Sequence, residues 1–367
     1  MSSFSVRKFE RSDFEHTAKL AKLVYGHGPL TDPAYLEWKY SGNPSLPSIL
    51  AIAESQGELI GFNALLPVLV KVENTVALCA IASDTMVHPE FRRQGVFLAM
   101  QKYLTSKAEN ISMTYSSGAR LRQPTAIGTV KHFQWRVVGP VFVLERFLSP
   151  GTAMKQLWVY PQLNSTNLFK YLKSLAGVGA ITLLGSLTQA VARGLKEDER
   201  KEQGIQVTEM KPLVFGAEFD NLWEEVKDSF RIAVVRNKEY LNWRFSNPTA
   251  TYKGFRADQD GCLRGYCILS YTAKGNLKTA LVADVLATEP GIAATLVDEC
   301  ARYAKRDQAH ILKLCKTEQL QDFTGSLGLV RSAKDYHFAR LDNSHIPESL
   351  AFDITNWYLT FSDRDSM

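Results

Sequence analysis

The sequence predicts an α/β chain of the α+β kind, made of two copies of one domain. Three observations carry this. A chain of 367 residues has room for two domains of roughly 100–200 residues each. Its early and late parts repeat one another. The repeated segments also follow one order of helix-like and strand-like patterns. Near the start stands Asp32-Pro33-Ala34-Tyr35-Leu36-Glu37-Trp38-Lys39-Tyr40-Ser41, and far downstream Asn237-Lys238-Glu239-Tyr240-Leu241-Asn242-Trp243-Arg244-Phe245-Ser246. Tyr-Leu-x-Trp-basic-aromatic-Ser recurs at an offset of 205.

Each copy opens with a helix. Asp32 and Asn237 are good N-caps, and Pro33 suits the first helical position. The pairs Tyr35/Trp38 and Tyr240/Trp243 have i, i+3 spacing and read as scaffold. An Asn-Pro turn follows in both, at Asn43-Pro44 and Asn247-Pro248. Then Gly57-Glu58-Leu59-Ile60-Gly61-Phe62 aligns with Gly261-Cys262-Leu263-Arg264-Gly265-Tyr266 at an offset of 204, Gly42 being without a counterpart. Ala82-Ser83-Asp84 aligns with Val282-Ala283-Asp284. Each copy is therefore a capped helix, a turn, a strand, a glycine turn, and two more strands, the last ending near an Asp. We place the first domain at 1–148, a helical connector at 149–205, the second domain at 206–345 and a tail at 346–367. Within the connector, residues 174–192 are largely apolar. Thr182, Ser186, Thr188, Gln189 and three glycines interrupt the run, so a packing helix is expected rather than a span of about 20 apolar residues.

The chain is 45% hydrophobic and 22% charged, which excludes wholesale disorder and collagen-like repeats. A net charge of +5, without a run of five like charges, gives no basic stripe for nucleic acid. Cys79, Cys262, Cys267, Cys300 and Cys315 form no Cys-x-x-Cys pair, so no metal is expected. The first ten residues lack a signal peptide's apolar core. We expect a reduced, cytoplasmic protein without a membrane span.

One segment carries chemistry. The strand Ala80–Val87 turns at His88-Pro89-Glu90. Phe91-Arg92-Arg93-Gln94-Gly95 then leads into a helix whose apolar positions are Val96, Met100, Tyr103 and Leu104. A strand, a tight glycine loop and a helix N-terminus together aim N–H groups and a dipole at one point, which suits phosphate. Arg92 and Arg93 add charge, and Gly95 lets a ligand approach the backbone.

Val87-His88-Pro89-Glu90-Phe91-Arg92 and Arg92-Arg93-Gln94-Gly95-Val96-Phe97 resemble the signature of the GNAT superfamily of CoA-dependent N-acyltransferases. Phe97 stands where that family has Gly or Ala. Lys131-His132-Phe133-Gln134-Trp135-Arg136 resembles a second family segment, with Gln134 where Gly is usual. The resemblance covers about residues 5–147 and 207–342. It implies two tandem GNAT-like domains, each a mixed, mostly antiparallel twisted sheet flanked by helices. It also implies acyl-CoA as co-substrate, bound by Met86, Val87, Arg92, Arg93, Gln94, Gly95, Val96 and Phe97. The second copy has Ala287-Thr288-Glu289-Pro290-Gly291 at the loop's place. It lacks Arg-x-x-Gly, so one CoA per chain is expected.

GNAT enzymes let an amine attack the thioester directly. The resemblance makes Asp84 the leading candidate base, with His132 a second, and places Tyr115 where relatives protonate the thiolate. Among tandem GNAT proteins the layout is most similar to bacterial transferases that acylate nucleotide-linked 3-amino-3,6-dideoxyhexoses with acetyl- or 3-hydroxybutanoyl-CoA. A nucleotide-sugar acceptor needs cations for its diphosphate, and Arg120, Arg122, Arg231 and Arg236 are the candidates. The alternatives are an aminoacyl or small-molecule amine acyltransferase, and a non-catalytic module that senses acyl-CoA.

Overall fold

The computed structural model describes residues 3–119, 132–148, 204–316, 327, 329–342 and 345–364. The first copy runs β1 (Ser5–Lys8), α1 (Asp13–Tyr25), α2 (Pro33–Ser41), β2 (Ile49–Ser55), β3 (Glu58–Val72), β4 (Thr75–Val87), α3 (Val96–Lys107), β5 (Met113–Ala119) and β6 (Arg136–Phe147). The second runs β7 (Gln206–Met210), α4 (Ala217–Val226), β8 (Ile232–Val234), α5 (Lys238–Arg244), β9 (Tyr252–Gln259), β10 (Cys262–Lys274), β11 (Leu277–Ala287), α6 (Pro290–Arg306), β12 (Ile311–Lys316) and β13 (Val330–Leu341). A short helix α7 (Glu348–Ala351) and β14 (Trp357–Tyr358) follow.

The expected caps form. Asp32 accepts the Ala34 N–H at 2.9 Å, and Asn237 accepts the Tyr240 N–H at 2.9 Å. The two repeated motifs then meet. Trp38 Nε1 donates to the Trp243 carbonyl at 2.9 Å, and Trp243 Nε1 returns the bond to Trp38 at 3.0 Å. Their rings stack at 5.6 Å. Reciprocal contacts of this kind are the mark of a local two-fold axis.

One sheet runs through the molecule in the order β1-β2-β3-β4-β5-β13-β6-β12-β11-β10-β9-β7, with β8 bridging β3 and β14. Most neighbours are antiparallel. The parallel pairs are β4 with β5, β11 with β12, and β14 with β8. The β4–β5 pairing ends at Ile81 and Tyr115, although both strands continue beyond it. They splay apart there, as β11 and β12 do beyond Val282 and Leu314.

The boundaries expected at 148 and 206 follow the chain but not the sheet. β6, the last strand of the first copy, pairs with β12 of the second. β13, the last strand of the second copy, pairs with β5 of the first. Each copy completes the other's sheet, because β6 and β13 cross and pair with each other at the centre. The apolar residues under α3 form their own cluster around Val96, Met100 and Leu104. The opposite face is a single core shared by both copies. The connector, including residues 174–192, lies outside the described residues apart from its last two. Among the described residues, no helix is long and apolar enough to cross a membrane. All five cysteines are unbridged. Residues 357–363 do not trail as a tail but are buried between the copies.

Candidate functional site

The end of β4 is shaped by a bulge. Phe62 faces Met86 and Ala64 faces Ser83, so Asp84 and Thr85 together oppose Asn63. Asn63 holds this bulge. Its Oδ1 accepts from Thr85 Oγ1 at 3.0 Å, and its Nδ2 donates to Gln101 of α3 at 2.9 Å. Tyr25 at the end of α1 donates its hydroxyl to the Thr85 carbonyl at 2.8 Å.

Beyond Val87 the chain turns through Pro89–Phe91 into the glycine loop. Gln94 Nε2 donates to the Glu90 carbonyl at 2.8 Å and tightens it. Arg93 and Gly95 take left-handed backbone angles, φ +63° and +86°. A Cβ on Gly95 would meet nothing within 4 Å, so glycine is favoured there by its backbone angle, and the space in front is open. The first bond of α3 runs from the Ala99 N–H to the Gly95 carbonyl at 3.0 Å. The N–H groups of Val96, Phe97 and Leu98 therefore lie at the helix mouth. Exposed Arg92, Arg93 and Gln94 surround it, the make-up that helix N-termini use to hold anions.

Residues 5–121 match the family model described as acetyltransferase (GNAT) domain. The match lies within the first copy. No curated protein matches the chain. Among solved structures, a GCN5-related N-acetyltransferase from Anabaena variabilis is 12% identical, over 93% of this chain and 73% of its own, with a TM-score of 0.62. A probable N-acyltransferase from Enterococcus faecalis is 10% identical over 93% and 73%, at 0.58. The N-myristoyltransferase of Saccharomyces cerevisiae, solved with bound myristoyl-CoA, is 11% identical over 93% and 83%, at 0.59. At these identities the likeness is one of fold, and it extends over both copies. The match to an acetyltransferase domain supports an acyltransferase that uses acyl-CoA.

In the second copy the end of β11, the strand equivalent to β4, is covered by residues 358–363. Glu289 stands before α6 without a side-chain cap bond, and Pro290 begins the helix. Tyr358 donates its hydroxyl to the Val285 carbonyl, as Tyr25 does to Thr85 in the first copy. Thr360 donates to Asp284 at 2.9 Å. Arg236 lies fully buried between Asp284 at 3.2 Å and Asp363 at 2.8 Å. Burial disfavours its charge, but the two carboxylates outweigh burial and hold it protonated. This corrects the expectation for Arg236, whose charge is spent inside the fold rather than offered to a diphosphate. Arg231 is exposed, but it binds Glu73 of the first copy and Asn356 at 2.8 Å. It clamps the copies together. Arg120 and Arg122 lie outside the described residues.

Asp84 is also engaged. Lys39 Nζ lies 2.5 Å from its carboxylate, and Tyr40 donates its hydroxyl to the same oxygen. Its side chain is 12% exposed and that of Lys39 only 4%. Asp84, expected as the base, is therefore tied into the fold by a buried ammonium and a phenol. The repeat held a signal of this. Its basic position, Lys39 or Arg244, is buried in both copies, and Arg244 binds the carbonyls of Ser362 and Arg364 at 2.9 and 3.1 Å.

His132 is exposed, and its neighbour Phe133 packs against Phe97 at the mouth of α3. Tyr115 is fully buried on β5 beside His337 and Trp357, each 5.5 Å away. Burial, then the charge of Asp363, keeps its phenol protonated far above the ordinary range. His337 escaped the sequence argument because nothing in one chain's order brings residue 337 next to residue 115. Only the exchange of β13 does so.

Proposed function

We propose that the chain is a CoA-dependent N-acyltransferase that moves an acetyl or 3-hydroxybutanoyl group to the amine of a nucleotide-linked amino sugar, of the dTDP-3-amino-3,6-dideoxyhexose class, for surface polysaccharide synthesis. The observation that supports it is the asymmetry of the two copies. One has an open anion cradle after a bulged, splayed strand. The other has the same strand covered by residues 358–363.

In this reading the diphosphate of CoA rests on the N–H groups at the mouth of α3, with Arg92 and Arg93 beside it. The pantetheine arm follows β4 along Asp84–Val87, where a backbone N–H past the bulge stabilises the developing oxyanion. The amine attacks the thioester carbon, the C–N bond forms, the C–S bond breaks and the thiolate leaves. Asp84 positions the bulge through Lys39. His132, at the exposed rim, is the group with solvent access to relay the amine's proton, and Tyr115 stays protonated as a hydrogen-bond donor.

Calorimetry with CoA should find one site per chain, and Gly95→Glu should abolish it without unfolding the protein. Two equivalent sites, or normal binding by a folded Gly95→Glu variant, would refute the cradle. Thiol release from acetyl- and 3-hydroxybutanoyl-CoA with a panel of dTDP-amino sugars tests the acceptor. Turnover with simple amines but with none of the panel would refute the nucleotide-sugar assignment.

A further inference from the structure

Where β4 and β5 part, several buried polar atoms find no partner among the described residues. They are the hydroxyls of Tyr115 and Ser117, both ring nitrogens of His337 and Nε of Arg364. Tyr115 and His337 are fully buried, and Ser117 and Arg364 are 7% and 6% exposed. They are close neighbours. Ser117 and His337 are opposite one another across β5 and β13. The His337 ring is 4.3 Å from that of Trp357. A Cβ on Gly118 would lie 3.4 Å from Arg364 Nη1. Both strands beside β13 shift register at His337, with Gly118 extra on β5 and Val138 extra on β6. Bulges of this kind re-aim side chains next to active sites.

Each buried polar atom left dry costs about 1–3 kcal/mol, so a group of five is expected to have a guest. The guest's chemistry follows from the charges around it. Arg364 has Asp335 at 2.9 Å, and Arg236 has Asp284 and Asp363. Burial, then the Arg364 charge, pushes His337 down to about 3, so its ring is neutral at neutral pH and offers one donor and one acceptor. Tyr115 is neutral too. Tyr115, Ser117 and His337 therefore present uncharged donors and acceptors in the cluster beside the Trp357 ring, which fits hydroxyl groups.

We propose that Ser117 and His337 hold hydroxyl groups of the acceptor, so that the strand lent by the second copy sets acceptor specificity in the GNAT domain. This rests on the acyltransferase reading above and identifies the acceptor as a polyhydroxylated amine. Ser117 and His337 are specificity-determining residues here, not bases.

The test uses the full chain, acetyl-CoA and D-glucosamine as the probe. Ser117→Ala and His337→Leu should leave the acetyl-CoA dissociation constant unchanged and raise KM for D-glucosamine about threefold to tenfold, with kcat little altered. His337→Gln, which keeps a donor and an acceptor, should restore much of the loss. In the unaltered protein the ring ¹⁵N resonances of His337 should shift when D-glucosamine is added with CoA present, which serves even if a variant fails to fold. Unchanged KM in folded variants, silent His337 resonances, or no turnover of D-glucosamine by a protein that binds acetyl-CoA would each overturn the proposal. Failure to bind acetyl-CoA at all would instead overturn the acyltransferase reading, and the proposal with it.

Discussion

Arg236 and Arg231 are the same residue type five positions apart, and their surroundings give them opposite weights. Arg236 neutralises two buried carboxylates, so Arg236→Met should cost about 3–5 kcal/mol in urea denaturation. Arg231→Ala breaks an exposed clamp and should cost about 1 kcal/mol or less. Equal losses would show that the Arg236 cluster is not as dry as described. His337 makes a pH prediction whose sign follows from its lowered folded-state value. Between its unfolded value near 6.5 and about 3, the unfolded chain holds a proton that the folded chain does not. Stability from this residue is therefore lost as pH falls through that window, by at most about 1.4 kcal/mol per pH unit. Unfolding free energies measured at pH 7 and pH 5 should draw closer together in His337→Gln. The same residues mark the limit of reading a sequence. The loop glycine Gly95 was legible because its backbone angle demands its residue type. Arg236 looked like any surface arginine, since its partners Asp284 and Asp363 are 48 and 127 positions away.

At the scale of elements, the helices, the caps and the strand-loop-helix junction were legible, because periodicity, Asx caps and glycine act within a few residues. Gly95→Ala should separate the two demands on that loop. Its methyl group has room, but φ +86° disfavours it, so stability should drop by about 1 kcal/mol with weaker CoA binding in calorimetry. Full retention of both would mean that the loop adopts another backbone when CoA arrives. The splay of β4 from β5 was not legible. Both strands carry ordinary apolar patterns, and their parting is decided by β13 lying against β5 and by the bulge at Asp84 and Thr85, neither of which is local.

For the whole molecule, the repeat predicted two units, and Trp38 and Trp243 of the repeated motif stack on each other. What the repeat could not show is that the last strands change places. Residues 1–148 expressed alone should be insoluble or unfolded, because β5 would lack β13 and β6 would lack β12; a folded, CoA-binding fragment would contradict this. The exchange also has a consequence for synthesis on the ribosome. Residues 5–119 leave the exit tunnel early, yet the strand that closes their sheet arrives some two hundred residues later. Throughout that interval the nascent chain carries an open β5 edge. A chain that stops short of β13 leaves that edge open, and the nascent chain is a natural client for chaperones that shield strand edges.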